Sequence, residues 1–293
     1  MIYWIIVNYY STQLIQRLIN SIKIQSIINH QIVIVNNSPE DRSIEQLKSK
    51  TVFLLDAPHN LGFGEGCNLG LNWVYQQDKT AIVWLINPDA YLPENITINA
   101  INCFQQYPNL SILGTLIEEP DSQIWLGGGQ FNSKTGEILP QIYDKFSPEK
   151  DLIPIDWVSG CSLLINLSRF KKCPQFNPDY FLYYEDFDFC MHYRQQGHQL
   201  AITPDIKIIH NPSSITGQYP HIKLEHSIYS YLLSLEKYAD SSAFWYRLIR
   251  ISLVSLLSLI ISPQTGLPKL KGVIRYLHQI LNRSRLKKSR SVY

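Results

Sequence analysis

The first 35 residues constrain the fold more than any other part of this 293-residue chain. Residues 2–7, IYWIIV, form an unbroken apolar run, as a strand covered on both faces requires, and the run stops at Asn8-Tyr9-Tyr10-Ser11. From residue 12 to 28 the apolar positions Leu14, Ile15, Leu18 and Ile22 recur at helical spacing, and residues 31–35 form a second apolar run closed by Asn36-Asn37-Ser38-Pro39. Strand, helix and strand in so short a span make a βαβ unit. Its parallel strands demand a sheet with helices on its faces, and in such sheets ligands lie beyond the carboxyl ends of the strands. Asn8, Tyr9, Asn36, Asn37 and Ser38 are thereby expected along one edge, as pocket groups or as turn formers.

The pattern continues with a short helix over 43–49, strands over 51–55 and 81–86, and a glycine-rich stretch, NLGFGEGCNLG, at 60–70 that precedes a helix. Its glycines allow backbone N–H groups to approach an anion, but their spacing is not that of the dinucleotide fingerprint. Strand 81–86 runs into Asn87-Pro88-Asp89, where an aspartate can offer oxygen to a hard divalent cation or simply form the turn before a helix starting near Pro93. Residues 111–154 read as two short apolar pieces, a hairpin and an irregular excursion. Residues 155–165 read as one strand with Gly160 inside it. Two further strands, 198–203 and 207–209, end on His210.

Between them lies FLYYEDFDFCMHYRQQG, residues 181–197, which sets Glu185, Asp186 and Asp188 at the start of a helix behind aromatic neighbours. Acids there complement the helix dipole; apolar surroundings can equally raise a carboxylate's proton affinity and make it a general base.

Charge is uneven. No acid follows Asp240, whereas residues 241–293 hold ten of the 26 Lys and Arg, so the first 240 residues, with 16 bases against 24 acids, stand near −8. A basic end on an acidic body suits an anionic surface. Residues 251–261 are apolar but too few to span a bilayer, so a basic amphipathic helix lying on anionic lipid is expected; the competing reading is a packed helical hairpin with a solvated basic end. Five cysteines without a CxxC pair fit a reducing cytosol, and the N-terminal run lacks the basic flank of a signal peptide.

Seven segments in order, IVNYYS, VIVNNS, NLGFGEGCNLG, LINPDA, DWVSGCSLLI, FLYYEDFDFCMHYRQQGH and IIHNPSS, resemble inverting family 2 glycosyltransferases of the GT-A fold, close to the bacterial rhamnosyltransferase-like group. The resemblance covers about residues 1–240 and implies an α/β fold with a mostly parallel central sheet and flanking helices. It leaves residues 241–293 as a basic helical extension. It also implies a metal-dependent transfer of rhamnose or another hexose from a dTDP- or UDP-linked donor to a hydroxyl of a glycan, with a lipid-linked acceptor at the inner face of the plasma membrane and no role for nucleic acid. By the same resemblance, Tyr9, Asn36 and Asn37 sit at the donor base, Asn60, Gly62, Phe63 and Asn68 lie along the nucleotide, and Asn87, in place of an acid of the metal motif, also binds the donor. Asp89 and His210 bind Mg²⁺ or Mn²⁺, Asp186 is the base, Glu185 orients the acceptor, and Trp157 and Gly160 border the acceptor cleft. Asn36 stands where the family usually has Asp, which leaves the base preference open. The competing functions are a sugar nucleotidyltransferase, which should carry a glycine- and basic-rich loop after the first strand, and an inactive membrane-associated binding protein.

Overall fold

Strand β1 (Ile2–Asn8) is buried along its whole length, and helix α1 (Thr12–Ile24) turns Ile15, Leu18, Ile19 and Ile22 into the same core. Strand β2 (His30–Asn36) pairs parallel with β1, from Ile2 opposite His30 to Asn8 opposite Asn36, which completes the expected βαβ unit. A 3₁₀ turn over Arg42–Leu47 leads to strand β3 (Val52–Asp56), parallel to β2. Helix α2 (Phe63–Gln77) lies so close to the sheet that a Cβ on Gly70 would come 2.6 Å from the Ile5 side chain. Strand β4 (Ile82–Ile86) joins β1 on its other side, where Trp4 stacks on Trp84 at 4.4 Å between ring centroids. Strand β5 (Ala90–Tyr91) and helix α3 (Ile96–Gln106) follow. This computed structural model describes residues 1–25, 29–121, 123–140, 152–211 and 220–290, with the side chains of 125, 126 and 284–290 excepted.

The second half departs from the sequence reading in three places. Strand β6 (Leu110–Glu118) is a nine-residue, almost wholly buried member of the main sheet and not one of two short pieces. Strands β7 (Ile124–Leu126), β8 (Gly128–Asn132) and β9 (Glu137–Pro140) come next, β8 and β9 as neighbours in a separate three-stranded sheet. Strand β10 (Ile153–Pro154) edges the main sheet. The strand expected over 155–165 is two, β11 (Trp157–Val158) in the small sheet and β12 (Ser162–Asn166) in the large one. They part at a turn closed by Ser162 N–H donating to the Ser159 carbonyl at 3.2 Å. Helix α4 (Glu185–Gln195) begins on the three acids as expected. The two strands expected after it are one, β13 (Gln199–His210), with an irregularity between Thr203 and Lys207.

The main sheet runs in the order β10-β13-β6-β12-β4-β1-β2-β3, with β5 on β13 and β7 on β6. Strands β3, β2, β1 and β4 are parallel; β12 lies antiparallel to both β4 and β6, and β13 is parallel to β6. It follows that β1, β2, β3, β4, β6 and β13 all point one way. Their carboxyl ends, and the amino end of β12, share a single edge. Asn8, Asn36, Asp56, Asn87, Cys161 and His210 stand along it.

The chain divides into two compact units, one of Met1–Phe131, Ile138–Phe181 and Glu185–Ile215, the other of Asn132–Glu137, Leu182–Tyr184 and Thr216–Tyr293. Helix α5 (Pro220–Tyr238) falls in the second compact unit with helices α6 (Ser241–Ile261) and α7 (Pro263–Arg290). In the second unit Arg247 donates from Nε to the Thr135 carbonyl at 2.8 Å and pairs with Glu137 at 3.1 Å. Helix α6, at 21 residues, is long and apolar enough to cross a membrane by length and composition, and includes Arg247 and Arg250 besides the apolar residues 251–261. Trp245, Ile249, Leu253, Leu257, Ile260 and Ile261 are exposed on it.

Candidate active site

The shared edge is built from strand ends outward. After β4, Asn87 N–H donates to the Cys161 carbonyl at 2.9 Å, which ties the Asn87-Pro88-Asp89 turn to the turn before β12. Antiparallel pairing of β5 with β13 sets His210 opposite Ala90. His210 Nε2 consequently lies 3.0 Å from Asp89 Oδ1, with both side chains buried. Residues 89 and 210, 121 positions apart, form one polar pair.

The other side of the turn carries the helix α4 acids. Asp186 Oδ2 accepts the Gly160 N–H at 2.8 Å, and Oδ1 accepts the Phe187 N–H at 2.7 Å. Glycine lets the turn approach closely there: a Cβ on Gly160 would stand 3.2 Å from the Asp186 Cβ and 3.1 Å from the Phe63 ring, and those side chains would have to shift by a few tenths of an ångström. Burial raises the Asp186 carboxyl above the ordinary aspartate range, while these N–H groups oppose the rise. Asp186 nonetheless keeps partial access to solvent. The Cys161 thiol registers both acids, being held well above its ordinary value by burial first, then by Asp89, then by Asp186. Asp89, His210, Gly160 and Asp186 are therefore one neighbourhood.

Glu185 is 6% exposed, packed against Gly64 of α2, and its Oε2 has no hydrogen-bond partner among the described residues. Burial, and secondarily the Asp186 charge, push its carboxyl up to about 8. Asp188, the third acid of this turn, is 1% exposed.

The asparagines expected at the donor are engaged within the protein. Asn36 Oδ1 accepts from Asn8 Nδ2 at 3.0 Å, and its own amide donates to Asp56 Oδ1 at 3.0 Å. Asn37 accepts the Leu61 N–H at 2.8 Å and donates to Asn60 Oδ1 at 2.9 Å and to the Gly62 carbonyl at 3.0 Å. Asn68 clamps the Phe176 backbone, donating to its carbonyl at 2.9 Å and accepting its N–H at 2.7 Å. These amides shape the edge and hold its loops. Gly62 itself has φ +81, and its Cβ position lies 2.2 Å from the Phe181 carbonyl oxygen, so only glycine fits. Tyr9 and Phe63 are half-buried; Trp157 is buried against Phe187, its indole N–H without a hydrogen-bond partner among the described residues. Asp56, at the end of β3, belongs to this network and escaped the sequence reading. Its place follows only from strand order.

The Asp89–His210 pair fits a divalent cation. A carboxylate oxygen and an imidazole nitrogen meet at one point, and among the described residues no third His, Cys, Asp or Glu completes a cluster. Two protein donors with the remaining positions left to phosphate oxygens and water is the usual arrangement for Mg²⁺ on a phosphorylated substrate.

The sequence model of Glycosyl transferase family 2 matches residues 3–151, just over half of the 293-residue chain. The chain belongs to this family. This family 2 transferase is 26% identical over 211 residues to a low-salt glycan biosynthesis hexosyltransferase of Haloferax volcanii, covering 71% of this chain and 66% of that one. It is 26% identical over 224 residues to the N-acetylglucosaminyl-diphospho-decaprenol L-rhamnosyltransferase of Mycobacterium tuberculosis, covering 67% of this chain and 69% of the other. The chain thus spans about two thirds of the length of these relatives. Its fold matches a structure of GalNAc-T7 with UDP, GalNAc and Mn²⁺ at a TM-score of 0.57 and 15% identity, over 80% of this chain and 47% of that one. The family 2 transferase accordingly has the GT-A fold with a C-terminal helical region.

Proposed function

We propose that this transferase moves rhamnose or another hexose from a nucleotide-diphosphate donor to a hydroxyl of a lipid-linked glycan, with inversion, in cell-surface polysaccharide synthesis. The observation that carries the reading is the gathering of Asp186 with the Asp89–His210 pair at one sheet edge, through the single turn at Gly160-Cys161. The names of the two curated relatives, a glycan hexosyltransferase and a rhamnosyltransferase acting on a decaprenol-linked sugar, support the substrate classes.

In this reading Asp186 takes the proton of the acceptor hydroxyl as that oxygen bonds to the anomeric carbon. The bond from that carbon to the donor diphosphate breaks on the opposite face, and the nucleoside diphosphate leaves with the electron pair. One displacement inverts the configuration. The N–H groups of Gly160 and Phe187 keep the Asp186 carboxylate aimed, and its raised proton affinity suits a base. Glu185, neutral below about pH 8, places no like charge beside Asp186 there. Asp89 and His210 would hold Mg²⁺ or Mn²⁺, which supplies neutralisation of the charge on the leaving diphosphate. The strand ends with Asn36, Asn37 and Asp56 would form the floor under the nucleotide. A dTDP-linked deoxysugar is the first donor to try and a UDP-linked hexose the second.

For location we read the enzyme as cytoplasmic and peripheral on the inner membrane face. The exposed apolar side of α6 with the basic residues of α7 supports a helix pair lying on anionic lipid. Arg247, already bound to Glu137, argues against α6 spanning the bilayer, since that ion pair would have to enter hydrocarbon. The test is a panel of nucleotide sugars with the full-length chain, following nucleoside diphosphate release with Mg²⁺, Mn²⁺ or chelator. Metal-dependent release from one donor, lost in Asp89→Asn, is expected. Release indifferent to chelator would overturn the role given to Asp89 and His210.

A further inference from the structure

Two consecutive tyrosines, Tyr183 with φ 66 and Tyr184 with φ 62, adopt the left-handed conformation immediately before Glu185 and Asp186. Side chains with a Cβ are disfavoured there, and a bulky pair in succession persists only where the surroundings enforce it. In the second unit α5 makes contacts along this turn. Ser230, wholly buried, donates from Oγ to the Leu182 carbonyl at 3.0 Å. The Tyr231 ring lies 5.5 Å from the Tyr184 ring, and its hydroxyl donates to the Gly136 carbonyl at 2.8 Å. Lys223 Nζ stands 5.9 Å from the Tyr183 ring centroid. Positions 223 and 230, seven apart, fall on one face of a helix, and 231 flanks that face.

We infer that Ser230 and Tyr231 are positioning residues for the transfer: they hold Leu182–Tyr184 in its double left-handed turn, the backbone that leads directly into Glu185 and Asp186. The inference rests on reading Asp186 as the base. Neither residue touches substrate in this account. Their effect passes along the chain from Tyr184 to Asp186, two peptide bonds on. A base within reach of its proton is sensitive to displacements of about 1 Å, so loss of the hold should lower turnover and spare donor binding.

The experiment uses the full-length chain as Ser230→Ala, Tyr231→Leu, Tyr184→Gly and the double change Ser230→Ala with Tyr184→Gly. Glycine adopts the left-handed turn freely and should remove the need for the hold. Expected are a roughly tenfold lower kcat in Ser230→Ala with donor KM and nucleoside diphosphate Kd unchanged, and about tenfold faster amide exchange over residues 182–189. The double change should recover both. Tyr231→Leu should repeat the loss if Ser230→Ala does not fold. Wild-type exchange and turnover in Ser230→Ala and Tyr231→Leu, or no recovery in the folded double variant, would overturn the proposal. Asp186→Asn is measured alongside: full turnover in it would sink the base assignment, whereas the exchange data judge the α5 hold independently.

Discussion

Replacing Glu185 with Gln should reverse a pH-dependent loss of stability, because the wild-type carboxyl is buried beside Asp186 with one oxygen unpartnered among the described residues. In the unfolded chain this group titrates near 4.5, and in the native protein near 8. Between those values the folded form binds more protons, so stability falls as pH rises, by up to about 1.4 kcal/mol per pH unit. The contribution is complete below pH 4.5 and gone above about pH 8. A rise from 4.5 to about 8 corresponds to about 5 kcal/mol as an upper figure. Gln keeps the shape, carries no charge, and leaves Asp186 without a like-charged neighbour. Urea unfolding of both proteins across this pH range gives the difference directly. The variant should be close to wild type at the acid end and several kcal/mol more stable at the alkaline end. A difference flat with pH to within about 0.5 kcal/mol would refute both the buried-acid argument and its sign.

Gly160→Ala should cut turnover by about 10- to 100-fold while shifting Tm by only a few degrees, since its Cβ would press on Asp186 and the Phe63 ring from 3.2 and 3.1 Å; wild-type turnover would show that Asp186 tolerates displacement. Leu253→Asp with Leu257→Asp should weaken flotation of the full-length chain with anionic vesicles by about tenfold or more and leave the unfolding transition in place, because both side chains are exposed on α6. Flotation unchanged by these acids would mean that this face does not meet lipid.

The early βαβ pattern was legible in the sequence because local signals agree with the fold: residues 2–7 are apolar throughout, and α1 repeats its buried positions at helical spacing. The break at 159–161 was not, since Trp157 to Ile165 is apolar enough to pass for one strand and only pairing with different sheets divides it. Strand β6 was missed for a related reason: its partners, β12 and β13, come much later, and Gly114 breaks its apolar run where Val158 and Ile202 press close. At the site, the acids and His210 were visible as residue types at strand and helix ends. The occupation of Asn36, Asn37 and Asn68 by protein partners was not, because those partners lie 20 to 108 positions away. The grouping of α5 with the later helices was hidden likewise, as no composition change marks residue 216.

The central claim is that Asp186 takes the acceptor's proton in a single inverting displacement. Its most direct test is turnover of Asp186→Asn with the identified donor and acceptor, alongside nucleoside diphosphate affinity. The account predicts a loss of turnover of about 10²- to 10⁴-fold, with affinity within about twofold of wild type and wild-type product of inverted anomeric configuration. Turnover within about tenfold of wild type, or a product that retains the donor's configuration, would contradict it.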